Sequence, residues 1–272
     1  MQLDALIFVD TNILLDLYRI RKSDVSLAYL DRLEDCKDRL IIGSQVEMEF
    51  KKNRQKVILE TLKAYTSPDW GKLTPPALLA DFQPSKMIEK HKKEISTQQK
   101  KVKAKVEKIL QNPSSNDPVF QKLNRIFKRK SDYNLDRESD DRFRIRRLAR
   151  KRFSLGYPPR KDADNSFGDA INWEWIIECA NQTDKEIIIV TRDTDYGAIH
   201  GGKSYLNDWL KKEFQERVSK RRKIILTDKL SFALKAVDEV VTKEMEEAEE
   251  QIKAIIASLN ESLGLTGFEC EN

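Results

Sequence analysis

The sequence predicts an α/β fold in which a central parallel β-sheet is flanked by helices and interrupted by a basic helical insertion. Three observations lead there. Short apolar runs at Leu6–Val9, Leu40–Ile42, Ile187–Val190 and Ile224–Leu226 alternate with stretches of helical periodicity, the pattern of strands buried on both faces. From Pro84 that alternation gives way to a polar, Lys- and Arg-rich segment. Acidic residues (Asp10, Asp193) stand just past the first and third runs, where functional groups gather in open α/β sheets.

The elements follow in order. Leu6–Val9 reads as a strand feeding a turn at Asp10-Thr11-Asn12. A helix follows from Ser23 or Asp24, with Val25, Leu27, Ala28, Leu30 and Leu33 on its inner face. Arg39–Gly43 is a second strand. Ser44 suits a helix N-cap, and Glu47 three residues on completes a capping box for a helix through Tyr65. Thr66–Pro76 is loop. Pro84 to Asn112 reads as a long Lys-rich helix, Pro113–Pro118 breaks it, and Phe120–Lys130 and Ser139–Phe153 are two further basic helices. Gly156-Tyr157-Pro158-Pro159 closes the segment. Phe167-Gly168-Asp169 then leads into a helix through Cys179, and Glu186–Thr191 is a strand. Tyr205–Val218 is helical, Lys223–Thr227 is the last strand, and Asp228–Asn260 reads as one long charged helix. The chain thus divides into two parts of one α/β domain (1–83 and 162–228), a basic insertion (84–161) and a C-terminal helical extension (229–272).

The formal charge of the 272 residues is only +5, but it is unevenly spread. Lys86–Lys161 holds 24 Lys/Arg against 9 Asp/Glu, a local +15 that leaves −10 for the remainder. A basic block beside an acidic remainder points to a polyanionic partner, against the plainer alternative of a solvated helical face. The three cysteines (Cys36, Cys179, Cys270) and two histidines show no metal-ligand spacing, which argues against zinc and disulfides and for a reducing cytoplasm. The N-terminal MQLDALIFVDTN lacks the basic n-region and cleavage site of a signal peptide, and no apolar stretch reaches membrane-span length, so a soluble intracellular protein is expected.

Two carboxylates at neighbouring strand ends raise one another's pKa unless a cation lies between them. Hard divalent ions such as Mg²⁺ or Mn²⁺ take carboxylate and water oxygens, and serve in-line attack on phosphodiesters. For a single Asp the plainer role is helix capping. A pair on adjacent strands, beside further acids at helix starts, favours a metal.

Four segments carry a resemblance: Val9-Asp10-Thr11-Asn12-Ile13-Leu14-Leu15-Asp16; Gln45-Val46-Glu47-Met48-Glu49-Phe50 with Asn53-Arg54; Phe167-Gly168-Asp169-Ala170-Ile171; and Val190-Thr191-Arg192-Asp193-Thr194-Asp195-Tyr196. In their order and context the chain resembles the PIN-domain nucleases, and more closely PIN-like proteins with a long helical insertion; the likeness covers roughly 3–54 and 157–228. The resemblance implies a PIN-like three-layer fold and a Mg²⁺- or Mn²⁺-dependent nuclease acting on RNA first and DNA second. It makes Asp10, Glu49, Asp169 and Asp193 the catalytic metal ligands, joined by Asp195 or with Asp195 only shaping the turn. Glu49 fits the second motif better than Glu47, which has the capping role. Asn12, Thr191 and Asp162 are supporting residues; near Asp162 the relatives tend to carry a Lys where this chain has Asn165. Relatives of this kind include toxins, RNA-processing enzymes and defence effectors.

Candidate phosphate contacts are Arg19 and Arg54 near the carboxylates and Arg142, Arg144, Arg146 and Arg147 in the basic segment. Phe120, Phe127 and Phe143 are expected to bury the inner faces of their helices, and Trp173, Trp175 and Trp209 to sit in the core or an interface, rather than stack on bases. The acidic run Glu244–Glu250 reads as a solvated face, with a homo-oligomer or protein partner through this last helix as the alternative. The rival to a nuclease is a catalytically inactive nucleic-acid-binding or scaffolding module on the same fold, which loss of the acids would favour; all four positions are filled. A dehalogenase-type phosphohydrolase would need an Asp where Asn12 stands.

Overall fold

The computed structural model describes residues 2–64, 74–160 and 167–262. The first strand, β1 (Ala5–Val9), is buried at every residue. Successive side chains of a strand point to opposite faces, so full burial requires cover on both. From β1 the chain passes directly into α1 (Thr11–Asp16), because Asp10 caps that helix through its side chain. The expected turn at Asp10-Thr11-Asn12 is therefore a helix start. α2 (Ser23–Asp35) leads back to β2 (Leu40–Gly43), which feeds α3 (Ser44–Ala64). Ser44 is the first residue of α3 rather than its cap, and Glu47 bonds Lys51 one turn on, so the expected capping box does not form.

The basic segment opens with α4 (Gln83–Gln111), whose residues are mostly exposed. The expected break is a single short helix, α5 (Pro113–Asn116), followed by α6 (Pro118–Phe127). A two-residue strand, β3 (Asn134–Leu135), and α7 (Asp141–Ser154) complete the segment. This half does not stand apart from the α/β body. Leu123, Ile126, Phe127, Leu135, Ile145 and Ala149 belong to the same core as β1, and β3 pairs with β2. Phe143, expected on an inner face, is 64% exposed instead, under the Arg142 guanidinium.

α8 (Gly168–Asn181) and β4 (Glu186–Val190) follow. The stretch read as the start of a helix at Tyr205 is the second strand of a hairpin, β5 (Gly197–His200) with β6 (Lys203–Leu206), and α9 begins only at Asp208 (Asp208–Arg217). After β7 (Ile224–Thr227) the expected single helix is two, α10 (Leu230–Ala236) and α11 (Lys243–Ser262), separated at Asp238, whose φ is 74°.

Five strands form an all-parallel sheet in the order β3-β2-β1-β4-β7. The chain moves outward from β1 through β2 to β3, then returns to the other side of β1 with β4. The direction of winding thus reverses between β1 and β4, where Val9 lies in register with Val190. Such a reversal leaves a crevice at the carboxyl ends of the two strands. Asp10 and Thr191 enter it side by side.

Candidate active site

At the reversal point Asp10 is 4% exposed and fully bonded. Its Oδ1 accepts the Thr11 N–H at 2.6 Å, and its Oδ2 accepts from Asn12 Nδ2 at 2.8 Å and Thr191 Oγ1 at 2.5 Å. Burial raises its pKa to about 6; the Thr191 and Thr11 hydrogen bonds pull it down, and the Glu49 and Asp193 charges push it up. Asn12 ties the two strand ends together, since its Nδ2 also reaches Thr191 Oγ1 at 3.2 Å and its Oδ1 accepts the Arg192 N–H at 3.4 Å. Thr191 in turn accepts the Asp193 N–H at 2.9 Å.

Glu49, on the second turn of α3, is held from both sides. Thr11 Oγ1 donates to Oε2 at 3.0 Å and Gln45 Nε2 to Oε1 at 2.6 Å. Glu47 points to Lys51 and lies outside the cleft. The start of α8 closes the opposite wall. A Cβ at Gly168 would fall 2.4 Å from Glu49 Oε1 and 2.6 Å from Gln45 Nε2, so a side chain there would push aside the Gln45–Glu49 pair. Carboxylate oxygens of Asp169, Asp193 and Asp195 lie within 4.8 Å of one another, a spacing that suits a shared cation. The cleft, about 320 Å³, is lined by Asp10, Glu49, Asp169 and Asp193 together with Gln45, Lys52 and Asn53. The donor set is entirely hard oxygen, which fits a divalent ion of the Mg²⁺ class and not a thiolate- or imidazole-seeking one.

A larger hollow of about 660 Å³ lies at the β3 edge, lined by Asp132, Asp136 and Asp141 but by none of these residues. The crevice at the reversal point is the candidate because it gathers the predicted acids.

The sequence-predicted set is therefore largely brought together: Asp10, Asn12, Glu49, Asp169, Thr191, Asp193 and Asp195 share one place. Asp162 lies outside the described residues. Arg19 lines the adjoining groove with Arg192 and Asp193, held by Asp16 at 2.8 Å and Glu60 at 3.5 Å. Arg54 is not a phosphate contact: it is 3% exposed, paired with Asp117 at 2.6 Å, and bonded to the Tyr18 hydroxyl and the Ile109 carbonyl. The guanidinium ties α3 to the start of α6. Arg144 is engaged by Asp141 and Glu178, while Arg146 is half-buried and Arg147 exposed on α7. Thr11, Gln45 and Gly168 were not expected at the site. Gln45 was detectable in principle, since it stands one helical turn before Glu49.

In comparisons with curated proteins and with solved structures, nothing matches the chain. A family model described as PIN domain matches residues 7–196, a span that includes the basic segment and every acid of the cleft. With the parallel sheet, its reversal point and the acidic cluster in agreement, the chain belongs to the PIN-domain family.

Proposed function

We propose that the chain is an endonuclease that hydrolyses phosphodiester bonds with Mg²⁺ or Mn²⁺, RNA being its first substrate and DNA its second. Nucleases are the general activity of the family, and the preference for RNA rests on the family resemblance alone. The observation that carries the reading is the convergence of Asp10, Glu49, Asp169, Asp193 and Asp195 on one crevice from four separate segments. Asp169, Asp193 and Asp195 would hold the cation, with Asp10 and Glu49 facing it from β1 and α3. When bound, the ion supplies positive charge against the phosphoryl oxygens and the acidification of water that hydrolysis at neutral pH requires.

The chain's own residues do the rest. Thr191 and Asn12 keep Asp10 ionised and fixed by donating to the same oxygen. Gln45 and Thr11 orient Glu49. Lys52, at the rim, offers a cation to the strand as it enters. Neither His91 nor His200 lines the cleft, so the reading gives no role to an imidazole.

The test is cleavage of labelled RNA and DNA by wild type, Asp10→Asn and Asp193→Asn, with Mg²⁺, Mn²⁺ or EDTA. Either substitution and chelation should each lower the rate by about 10²-fold or more. Cleavage indifferent to both substitution and EDTA would sink the proposal; absence of cleavage with tight nucleic-acid binding would favour a binding module.

A further inference from the structure

Beside the cleft lies a surface that the carboxylate chemistry does not use. At the N-terminal end of α8 the rings of Phe153 and Phe167 meet edge to face with centroids 6.2 Å apart. Guanidiniums cover them, Arg160 over Phe153 at 4.7 Å and Arg150 over Phe167 at 5.9 Å, and both arginines are exposed. One turn beyond Phe153, Tyr157 lies against Trp209 at 4.9 Å, the two rings tilted by 43°. Tyr157 nevertheless remains 37% exposed and Trp209 45%. Because the rings are tilted, mutual contact does not use up their faces.

Two connections fix this surface to the cleft. Phe167 is the residue before Gly168, where a Cβ would fall 2.4 Å from the Glu49 carboxylate, and it stands two before Asp169. Trp209 stands two residues past Asn207, whose N–H donates to the Tyr196 carbonyl at 2.9 Å, and the Tyr196 hydroxyl reaches the Asp169 carbonyl at 3.4 Å. Phe167 and Asp169 thus share the N-terminal end of α8, and the segment holding Trp209 is tied to that end through Asn207 and Tyr196.

We propose that this surface is a stacking ledge for the unpaired bases of a single nucleic-acid strand whose backbone enters the cleft, an inference that rests on the nuclease reading for the direction of the strand. Open aromatic faces accept any base, and guanidiniums over neighbouring rings supply charge for the phosphates. A duplex hides its base faces in its own stack and cannot use such a surface. The charge selects the occupant: exposed arginines layered on the rings suit a polyanion carrying flat apolar faces, which describes a single strand.

Binding is read by anisotropy of a labelled, unstructured single strand and of the same sequence as a blunt duplex, in EDTA so that nothing is cut. The single strand should bind more tightly than the duplex. Trp209→Ala and Tyr157→Ala should each weaken it about tenfold with the salt slope unchanged, while Tyr157→Phe keeps the affinity. Arg160→Gln should instead flatten the salt slope by about 0.7. Both ring positions are solvent-facing, and an unchanged thermal midpoint confirms folding of each variant. Tighter binding of the duplex, or single-strand affinity within about twofold of wild type in the Trp209→Ala/Tyr157→Ala variant, overturns the ledge, since one stacked base is worth more than that. The two readings fail separately. A chain that cuts with Mg²⁺ but whose single-strand affinity ignores both ring substitutions loses the ledge and keeps the nuclease; one that binds as described but cuts nothing keeps the ledge and loses the nuclease.

Discussion

Asp10 meets two demands that pull in opposite directions. Its β-carboxylate caps α1, which favours the ionised form, yet it is buried beside two further carboxylates, which disfavour it. The balance leaves its pKa at about 6 in place of 3.8. A raised carboxyl pKa contributes stability only while the group is protonated, so that contribution is complete below 3.8 and is lost as pH rises through about 6. In EDTA the stability advantage of Asp10→Asn over wild type should therefore grow across that window, by on the order of 3 kcal/mol. A divalent cation should close the gap above pH 6. Thermal unfolding of both proteins across pH checks this, and a gap independent of pH would contradict it. Asp10, Asp169 and Asp193 were legible in the sequence because each sits at a strand end or helix start that apolar patterning locates. Gln45 was readable only through its helical spacing to Glu49, and Thr11 was not, because its role depends on meeting Glu49, 38 positions away, across the fold. Arg54 was misread for the same reason: its partner, Asp117, is remote in sequence.

Among the elements, α6 shows how one residue can serve two structures. Asp117 caps this helix by accepting the Phe120 N–H at 3.0 Å and also neutralises the buried Arg54. Asp117→Ala should cost about 3–5 kcal/mol because it strands a buried guanidinium, and Asp117→Asn, which keeps the cap, should cost less. Urea denaturation distinguishes them, and equal losses would place the energy in the ion pair alone, since Asn keeps the cap. The strands of the main sheet were readable because they are continuous apolar runs; β3 was not, since two residues carry no periodicity. The β5–β6 hairpin did carry a signal. Gly201 and Gly202 both have positive φ, 57° and 73°, as a two-residue hairpin turn requires. The helical spacing that resumes at α9 masked it. No glycine or proline marks the break between α10 and α11, where Asp238 takes the left-handed conformation, so that break could not be read.

Across the whole molecule, the basic charge is not spread evenly around the cleft. Arg150 meets Phe167 at the start of α8, while Arg144 meets Glu178 near its end, so α7 runs antiparallel to α8. Arg142 therefore lies toward the end of α8 away from Asp169, roughly 14 Å along the axis, and Arg146 and Arg147 lie between the two ends. Arg142 can touch only a strand that extends past the cleft, and the contact of Arg146 and Arg147 grows with strand length. Replacing these three with Gln should weaken binding of long strands, and flatten its salt dependence, more than for short oligonucleotides. Arg144→Gln should have little effect on binding, since Asp141 and Glu178 already neutralise it. Titrations of long and short strands over a salt series decide the matter; equal effects on both lengths would bring these arginines to the cleft.

The reversal between β1 and β4 has a consequence for the order of events during synthesis. Asp10 leaves the ribosome well before its neighbours across the crevice, Thr191 and Asp193, which follow only after the whole basic segment. No shorter nascent fragment contains the complete acidic set. The pairing that creates the crevice joins residues nearly two hundred positions apart, among the slowest kinds of contact to form. A chain that cuts RNA would thus gain that capacity only after the whole stretch from Asp10 to Asp195 had been translated.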